Sequence, residues 1–380
     1  IADRIAEYYA PAVHILAALT FAGWWLLGFD WQVSLIQAVA VLIVTCPCAL
    51  GLAVPVVQVV ASGRLLASGI LVKAADGLER LAQIDTVVFD KTGTLTEGRL
   101  DLMNRDAIPD GALALAASLA MTSRHPLAQA VVRAANRATA LDGVSELPGQ
   151  GLRAETSAGE VRLGSRAWCN PGADGAEIEG GLPELWLVQP DMPPMQFLFE
   201  DCLRPDAAET ITALSQMGLS VELLSGDRAE VAASVAREVG IDHWTSEVRP
   251  EGKVAALQAL QAKGAKVLMV GDGLNDAPAL TTAHVSMSPA SAADVSQTAA
   301  DFVFQGRSLS SVVETVRVAR TSQRLVTQNF GMAFAYNAIA VPLAVLGFVT
   351  PLFAAIAMSA SSLIVCANSM RLSRARKGIS

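Results

Sequence analysis

Charge is scarce in this chain of 380 residues, and cysteines are few. Asp, Glu, Lys and Arg make up 17% of it, while hydrophobic residues reach 52%; ordinary globular domains carry about 25% charged residues. That balance, with a mean hydropathy of +0.41, excludes a disordered chain and disfavours a purely water-soluble one. Five cysteines are too few for a disulfide scaffold. The net charge of −8 and a pI near 5.1 leave no basic stripe of the kind a nucleic-acid binder shows. Internal repeats and long low-complexity tracts are lacking as well.

The charges are missing from particular places. Residues 8–29, 31–63 and 325–370 contain no Asp, Glu, Lys or Arg. A membrane helix needs about 20 such residues. The first run is one span, the second is longer than one and contains Pro47 and Pro55, and the third divides at 347–351. Four membrane helices in two hairpins are expected, at about 8–29, 33–62, 326–346 and 351–370. A signal peptide fits poorly, because no cleavage pattern follows. Arg64, Lys73, Arg317, Arg320 and Arg324 flank the helices on the side of the central insert, and Arg371, Arg374, Arg376 and Lys377 follow the last one. The tight connections near Asp30 and Thr350 carry no cation. The positive-inside rule then puts the insert and both termini in the cytoplasm, as expected of a multi-pass protein of a plasma (inner) membrane.

The insert reads as α/β. Short apolar runs end in acidic loops: Thr86-Val-Val-Phe89 before Asp90, Val221-Glu-Leu-Leu224 before Ser225-Gly226-Asp227, and Lys266-Val-Leu-Met-Val270 before Gly271-Asp272-Gly273. Helical patterns at 206–217, 229–239 and 252–262 alternate with them. A parallel sheet covered on both faces is expected, with ligands beyond the carboxyl ends of its strands. Between 99 and 197 the pattern changes to helix, Gly-rich turn and short strands, which predicts an inserted domain. The expected segments are 1–75 (two spans and a link), 76–98 and 198–324 (the sheet domain), 99–197 (the insertion) and 325–380 (two spans and a tail).

Asp90 opens Asp90-Lys91-Thr92-Gly93-Thr94-Leu95-Thr96. A carboxylate can attack a phosphoryl group, and small residues after it let backbone N–H groups approach phosphate oxygens. Ser225 can bond a phosphate oxygen, and Lys253 can neutralise phosphate charge. Asp272 and Asp276, in Gly271-Asp-Gly-Leu-Asn275-Asp276, offer hard oxygens for Mg²⁺. In the membrane part, Cys46-Pro47-Cys48 interrupts an apolar helix. Positions i and i+2 of a regular helix point about 200° apart, but Pro47 opens the helix, so both sulfurs can face one cavity. Thiolates favour Cu⁺ or zinc over Mg²⁺. Read alone, the same pair equally fits inert packing at a kink. Asn329, Tyr336 and Asn337 fall on nearly one face, as do Met358 and Ser362. No carboxylate occurs in these helices, which suits a monovalent ion better than Zn²⁺.

The Asp90–Thr96 string together with GDGLNDAP at 271–278 resembles the P-type ATPases of the haloacid-dehalogenase superfamily. The resemblance implies a multi-pass helical membrane domain, an α/β haloacid-dehalogenase-like (Rossmann-like) phosphorylation domain and an inserted α+β nucleotide-binding domain. It implies that ATP phosphorylates Asp90, with Lys91, Thr92, Ser225, Gly226, Asp227, Lys253, Asp272, Asn275 and Asp276 in the catalytic machinery. Mg²⁺ would sit at Asp90, the Thr92 carbonyl and Asp272, with Asp276 supporting the loop. Ser123-Arg124-His125-Pro126 and Gly149-Gln150-Gly151 are similar to the motifs that surround adenine in heavy-metal pumps, although Arg124 and Ala120 stand where acidic residues often occur. Cys-Pro-Cys, Asn329…Tyr336-Asn337…Pro342 and Met358-Ser-Ala-Ser-Ser362 resemble the copper(I) subgroup, including the pumps that serve cytochrome oxidase assembly. That resemblance implies transport ligands at Cys46, Cys48, Tyr336, Asn337, Met358 and Ser362, with lipid around the spans and a copper chaperone delivering the ion. Phe330 departs from the subgroup's usual Tyr.

Such pumps use an actuator domain with a Thr-Gly-Glu loop, a tripeptide this chain lacks. With Ile1 in place of Met, the chain is expected to be the C-terminal portion of a pump, able to bind nucleotide but not to cycle alone. Rival readings are a Zn²⁺ or Cd²⁺ pump, a membrane-anchored phosphatase and a non-catalytic metal binder. Superfamily phosphatases usually carry a second Asp two residues after the nucleophile; here that position is Thr92, which favours a lasting phosphoenzyme.

Overall fold

The computed structural model describes residues 2–135, 137–169, 182–272, 276–292 and 294–374, with side chains from 11 to 373. They form two compact units. The first comprises the chain up to 83, 301–304 and 311 onward. Its helices are Ala2–Leu26, Trp31–Val44, Cys48–Leu52, Pro55–Ala67, Ser310–Val345 and Pro351–Ser369, with short ones at Gly77–Leu81 and Arg371–Arg374. A small antiparallel pair joins Ile70–Val72 to Phe302–Phe304.

The helices start and stop where their residues require. Pro55 and Pro351 occupy first turns, where the missing N–H costs nothing. Thr350 caps the last long helix, its hydroxyl accepting from Phe353 N at 3.4 Å. Small residues let the helices approach: Ala17, Val41, Val44, Ala344 and Ala354 form one buried cluster. At Gly347 the backbone has φ 85°, and a Cβ there would lie 2.5 Å from the Trp24 ring. The Trp24 indole in turn donates to the Val345 carbonyl at 2.9 Å. Large apolar side chains instead face outward, among them Leu26 (84% exposed) and Leu352 (70%).

Two segments are long and apolar enough to cross a bilayer by length and composition, Trp31–Ala67 and Pro351–Ser373, whereas Pro11–Leu26 falls in a shorter class. The helix expected at 33–62 is broken twice rather than once. It ends at Val44, restarts at Cys48, and restarts again at Pro55. Pro55 removes a second N–H donor eight residues after Pro47, so one opening could not relieve both.

The second unit comprises 84–300 and 305–310. Five of its strands run parallel in the order His243–Thr245, Ser220–Leu224, Thr86–Asp90, Val267–Val270, Val285–Pro289. The central ones are buried at every position, as continuous Val-rich runs must be when helices cover both faces. The helices Ala207–Gln216, Ala229–Val239 and Pro250–Ala262 lie between the strands in sequence. A separate antiparallel sheet has the order Thr96–Leu102, Met195–Leu203, Glu184–Val188, Gly159–Gly164, Gly151–Thr156, Ser145–Leu147. The helices Asp110–Ala120 and Pro126–Ala134 pack on it through Leu113, Ala116, Val131, Leu163 and Phe197. Its first strand in sequence begins at Thr96 and its last ends at Leu203, outside the 99–197 expected for the insertion. The second sheet therefore starts directly after the loop that follows Asp90.

Candidate functional site

The carboxyl ends of the parallel strands gather most of the acidic residues singled out above. Asp90 ends its strand, Asp272 follows Val267–Val270, and Asp276 precedes the short helix Ala277–Thr282. Lys253 comes from the first turns of Pro250–Ala262. Its Nζ donates to Asp276 Oδ1 at 2.6 Å and to Asp90 Oδ1. Asp90, Lys253 and Asp276 are 5%, 6% and 1% exposed. Carboxylate oxygens of Asp90, Asp272 and Asp276 lie within 4.8 Å of one another.

Burial pushes Asp90 up to about 7, with Asp276 adding to the rise and Lys253 opposing it. Burial also pushes Asp272 up to about 6, with Asp276 adding and Arg204 opposing. On Lys253, burial acts downward, but Asp90 and Asp276 outweigh it and hold the ammonium above its usual range. One lysine against three carboxylates leaves the centre short of positive charge. Closely spaced hard oxygens in that condition fit Mg²⁺.

The loop after Asp90 is shaped by its neighbours. Gly93 has φ 69°, and a Cβ there would meet Asp272 Oδ2 at 1.6 Å; only glycine lets this carboxylate stand against the loop. The Thr96 hydroxyl accepts from Gly93 N at 2.9 Å and donates to Asp201 Oδ2 at 2.5 Å. Arg204, 4% exposed, donates to the carbonyls of Thr94 (2.7 Å), Gly93 (2.8 Å) and Arg307 (2.6 Å). Holding the carbonyls on one side commits the loop's peptide planes. Sequence reasoning missed Arg204 and Asp201; the buried end of an apolar strand at Asp201-Cys-Leu-Arg204-Pro205 was the available signal.

Lys91 pairs with Asp227, Nζ to Oδ2 at 2.5 Å. Ser225 is buried, and its Oγ accepts from Asp227 N at 3.1 Å. The Ser225 hydroxyl is therefore engaged within its own turn rather than on Asp90. Lys91, Thr92, Gly226 and Asp227 line a cleft of about 430 Å³. Asn275 lies outside the described residues.

A second cavity, of about 250 Å³, opens on the antiparallel sheet. His125, Gly149 and Gly151 line it. Pro126 does not; it starts the helix Pro126–Ala134, its ring supplying the helical φ. His125 caps that helix, its Nδ1 accepting from Leu127 N at 3.3 Å, which leaves Nε2 as the ring's protonated nitrogen when neutral. The two glycines serve different needs. A Cβ at Gly151 would sit 2.3 Å from the Leu163 carbonyl, whereas at Gly149 (φ 75°) it would meet nothing within 4 Å. Gly151 is required by strand packing, and Gly149 by its turn. Glu146, Gln150, Ser165 and Glu184 also line the cavity. Sequence reasoning missed Glu146, Ser165 and Glu184, because they come from segments apart in sequence.

In the helical unit, Cys46 and Cys48 bracket the first break, their sulfurs in disulfide contact and their Cα atoms 5.5 Å apart. Both therefore project to one side of the turn, which a regular helix forbids. Tyr336 packs with Val41, Val44 and Ala354 before the turn. After it, Ala49 and Leu50 pack with Ala333 and Val365. The helices that carry Asn337 and Met358 are thus tied to both sides of the break. Asn337 Oδ1 is buried without a hydrogen-bond partner among the described residues. The Ser362 hydroxyl donates to the Met358 carbonyl of its own helix at 3.2 Å. Asn329 is a tie, with Nδ2 donating to the Ala53 carbonyl (3.2 Å) and Ser369 Oγ (3.0 Å).

A family model described as haloacid dehalogenase-like hydrolase matches residues 84–284, more than half of the chain, and the chain belongs to that family. It is also similar to P-type ATPases along nearly its whole length. It is 50% identical to the nitrogen fixation protein FixI of Rhizobium meliloti (strain 1021), over 98% of this chain and 49% of that protein. It is 40% identical to a copper-exporting P-type ATPase of Mycobacterium tuberculosis (strain ATCC 25618 / H37Rv), over 98% of this chain and 50% of that protein. Among solved structures, a zinc-transporting PIB-type ATPase in the E2·Pi state superposes with a TM-score of 0.83 at 30% identity, over 97% of this chain and 63% of that one. The chain spans about half the length of the curated relatives it matches.

Proposed function

We propose that this chain carries the phosphorylation centre, nucleotide pocket and ion path of a heavy-metal P-type ATPase that exports Cu⁺ from the cytoplasm. The observation that carries the reading is the Asp90–Lys253–Asp276 bridge beside Asp272, in a chain that also holds the Cys46-Pro47-Cys48 break. Asp90 Oδ attacks the γ-phosphorus of ATP, the bond to the β-phosphate oxygen breaks, and ADP leaves while Asp90 becomes an acyl phosphate. Lys253 holds the carboxylate in place and balances its charge. Arg204 fixes the loop so that its N–H groups meet the phosphoryl oxygens. Asp90, the Thr92 carbonyl and Asp272 would hold Mg²⁺, with Asp276 supporting the loop, and the ion would neutralise the charge that builds during transfer. His125, Gly149 and Gly151 seat the nucleotide base.

The cargo is Cu⁺, taken by Cys46 and Cys48 as the reduced pair, with Met358, Asn337 and Tyr336 at hand. Sulfur donors with no carboxylate suit a soft monovalent ion. Ser362 joins that set only by turning away from the Met358 carbonyl. Four spans, two beyond those that length alone singles out, place the outward apolar side chains against lipid, with the insert and both ends cytoplasmic in the plasma (inner) membrane. A soluble copper chaperone is a fitting donor. Acid-stable phosphoenzyme trapping in membranes tests the cargo. Cu⁺ is expected to govern labelling, and Cys46→Ala and Cys48→Ala to remove that dependence. Labelling that responds to Zn²⁺ but not to Cu⁺ overturns the copper assignment in favour of zinc.

A further inference from the structure

We infer that Glu146 reads the 6-amino group of the purine and makes the pocket prefer adenine over 6-oxo purines; this rests on the nucleotide reading above. The cavity walls are Leu127, Leu152, Leu163 and Leu185, with polar groups around them. An exocyclic amino group needs an acceptor, and a 6-oxo group needs a donor. The most selective partner is therefore a group that can only accept, such as an ionised carboxylate. Among the described residues, two carboxylates line the cavity, Glu146 and Glu184.

Glu184 is already spent. Its oxygens accept from Arg166 Nε (2.7 Å) and Nη2 (3.0 Å) and from Gln196 Nε2 (2.6 Å). Burial works against its charge, but these donors hold the carboxyl below its usual range. Ser123 is likewise engaged, its Oγ accepting from His125 N at 3.2 Å. Gln150 and Ser165 can both donate and accept, so they serve either purine equally. Glu146, on the edge strand Ser145–Leu147, forms no hydrogen bond or ion pair among the described residues. Exposed on that strand, it is the acceptor-only group left for a ligand among the described residues.

The test is competitive displacement of trinitrophenyl-ATP from the full chain in detergent by ATP and by inosine triphosphate, which differs at the 6 position. The unaltered chain is expected to bind ATP at least about tenfold more tightly, the scale of a hydrogen bond to a charged group. Glu146→Ala is expected to weaken ATP by about that factor and leave inosine triphosphate unchanged or tighter. Glu146→Gln, which can present either amide end, is expected to bring the two affinities together. A preference for ATP that survives both substitutions overturns the assignment, as does an unaltered chain without preference. A chain that binds no triphosphate at all removes the nucleotide reading, and this inference with it. An unchanged melting temperature in both variants separates lost recognition from lost folding.

Discussion

The carboxylate centre and the Cys-Pro-Cys turn hold their functional atoms by opposite means. At Asp90, charge is concentrated and buried: Lys253 bridges Asp90 and Asp276 beside Asp272, and burial, with Asp276 adding to it, raises Asp90 and Asp272. At Cys46 and Cys48, charge is absent and the backbone is broken, with small residues and one amide tie, Asn329, holding the pieces. The first arrangement suits a hard cation and a phosphoryl group, whose charges complete it. The second suits a soft ion, because sulfur donors match soft metals better than hard ones.

The largest expected effect separates the two regions outright. Asp90→Asn is expected to abolish acid-stable labelling by ATP while nucleotide displacement stays within about twofold, since the substitution keeps the shape and removes the nucleophile. Labelling that persists would move the nucleophile elsewhere. Replacing Cys46 and Cys48 together by Ala is expected to do the reverse. Copper binding under reducing conditions falls by a factor of about 100 or more, as for the loss of two principal ligands (about 1.4 kcal/mol per tenfold), while ATP binding is unaffected. Equal copper binding in the double variant would leave the turn as packing alone.

Lys253→Met sharpens the contrast by leaving Asp90 and Asp276 buried without their counter-ion. Breaking a buried ion pair from one side costs about 3–5 kcal/mol, so thermal unfolding of the α/β unit is expected well below that of the unaltered chain. Mg²⁺ should restore more of the loss here than in the parent. A variant as stable as the parent would show the bridge to be energetically idle.

The smallest effect follows pH. Asp90 and Asp272 lie above their ordinary value of 3.8, at about 7 and about 6. A raised carboxyl contributes stability that is complete below the unfolded pKa and is lost as pH rises through the folded one. In metal-free protein this centre's contribution is therefore expected to decline from about pH 4 to pH 7, against an Asp272→Asn reference. Mg²⁺ binding, which needs the ionised forms, is expected to strengthen across about pH 6–7 and then level off. Magnesium-dependent melting shifts flat over that range would contradict the crowded-carboxylate account.

Local pattern explains which parts could be read in advance. The runs into Asp90, Ser225 and Asp272 are short, Val-rich and followed by small residues, so each strand end declared itself. Pro47 announced one helix break by its missing N–H. The second break at Pro55 was harder to see, because Pro55 could as well have begun or merely kinked a helix. Arg204 was hidden because its partners, the carbonyls of Gly93, Thr94 and Arg307, are about 100 residues away in either direction. Helical spacing placed the Ser362 hydroxyl on a face but did not show which carbonyl it bonds, here that of Met358.

Residue type and short-range order thus determined, from the chain alone, the apolar segments, the strand-end acids and the sulfur pair at a proline, since each depends on neighbours within one turn or strand. Only the tertiary structure decided which groups share a charge, which glycine yields to a carboxylate and which glutamate stays open to a ligand. Those outcomes depend on burial and on distances between segments far apart in sequence, where a single backbone path can bring together, or keep apart, residues of identical type.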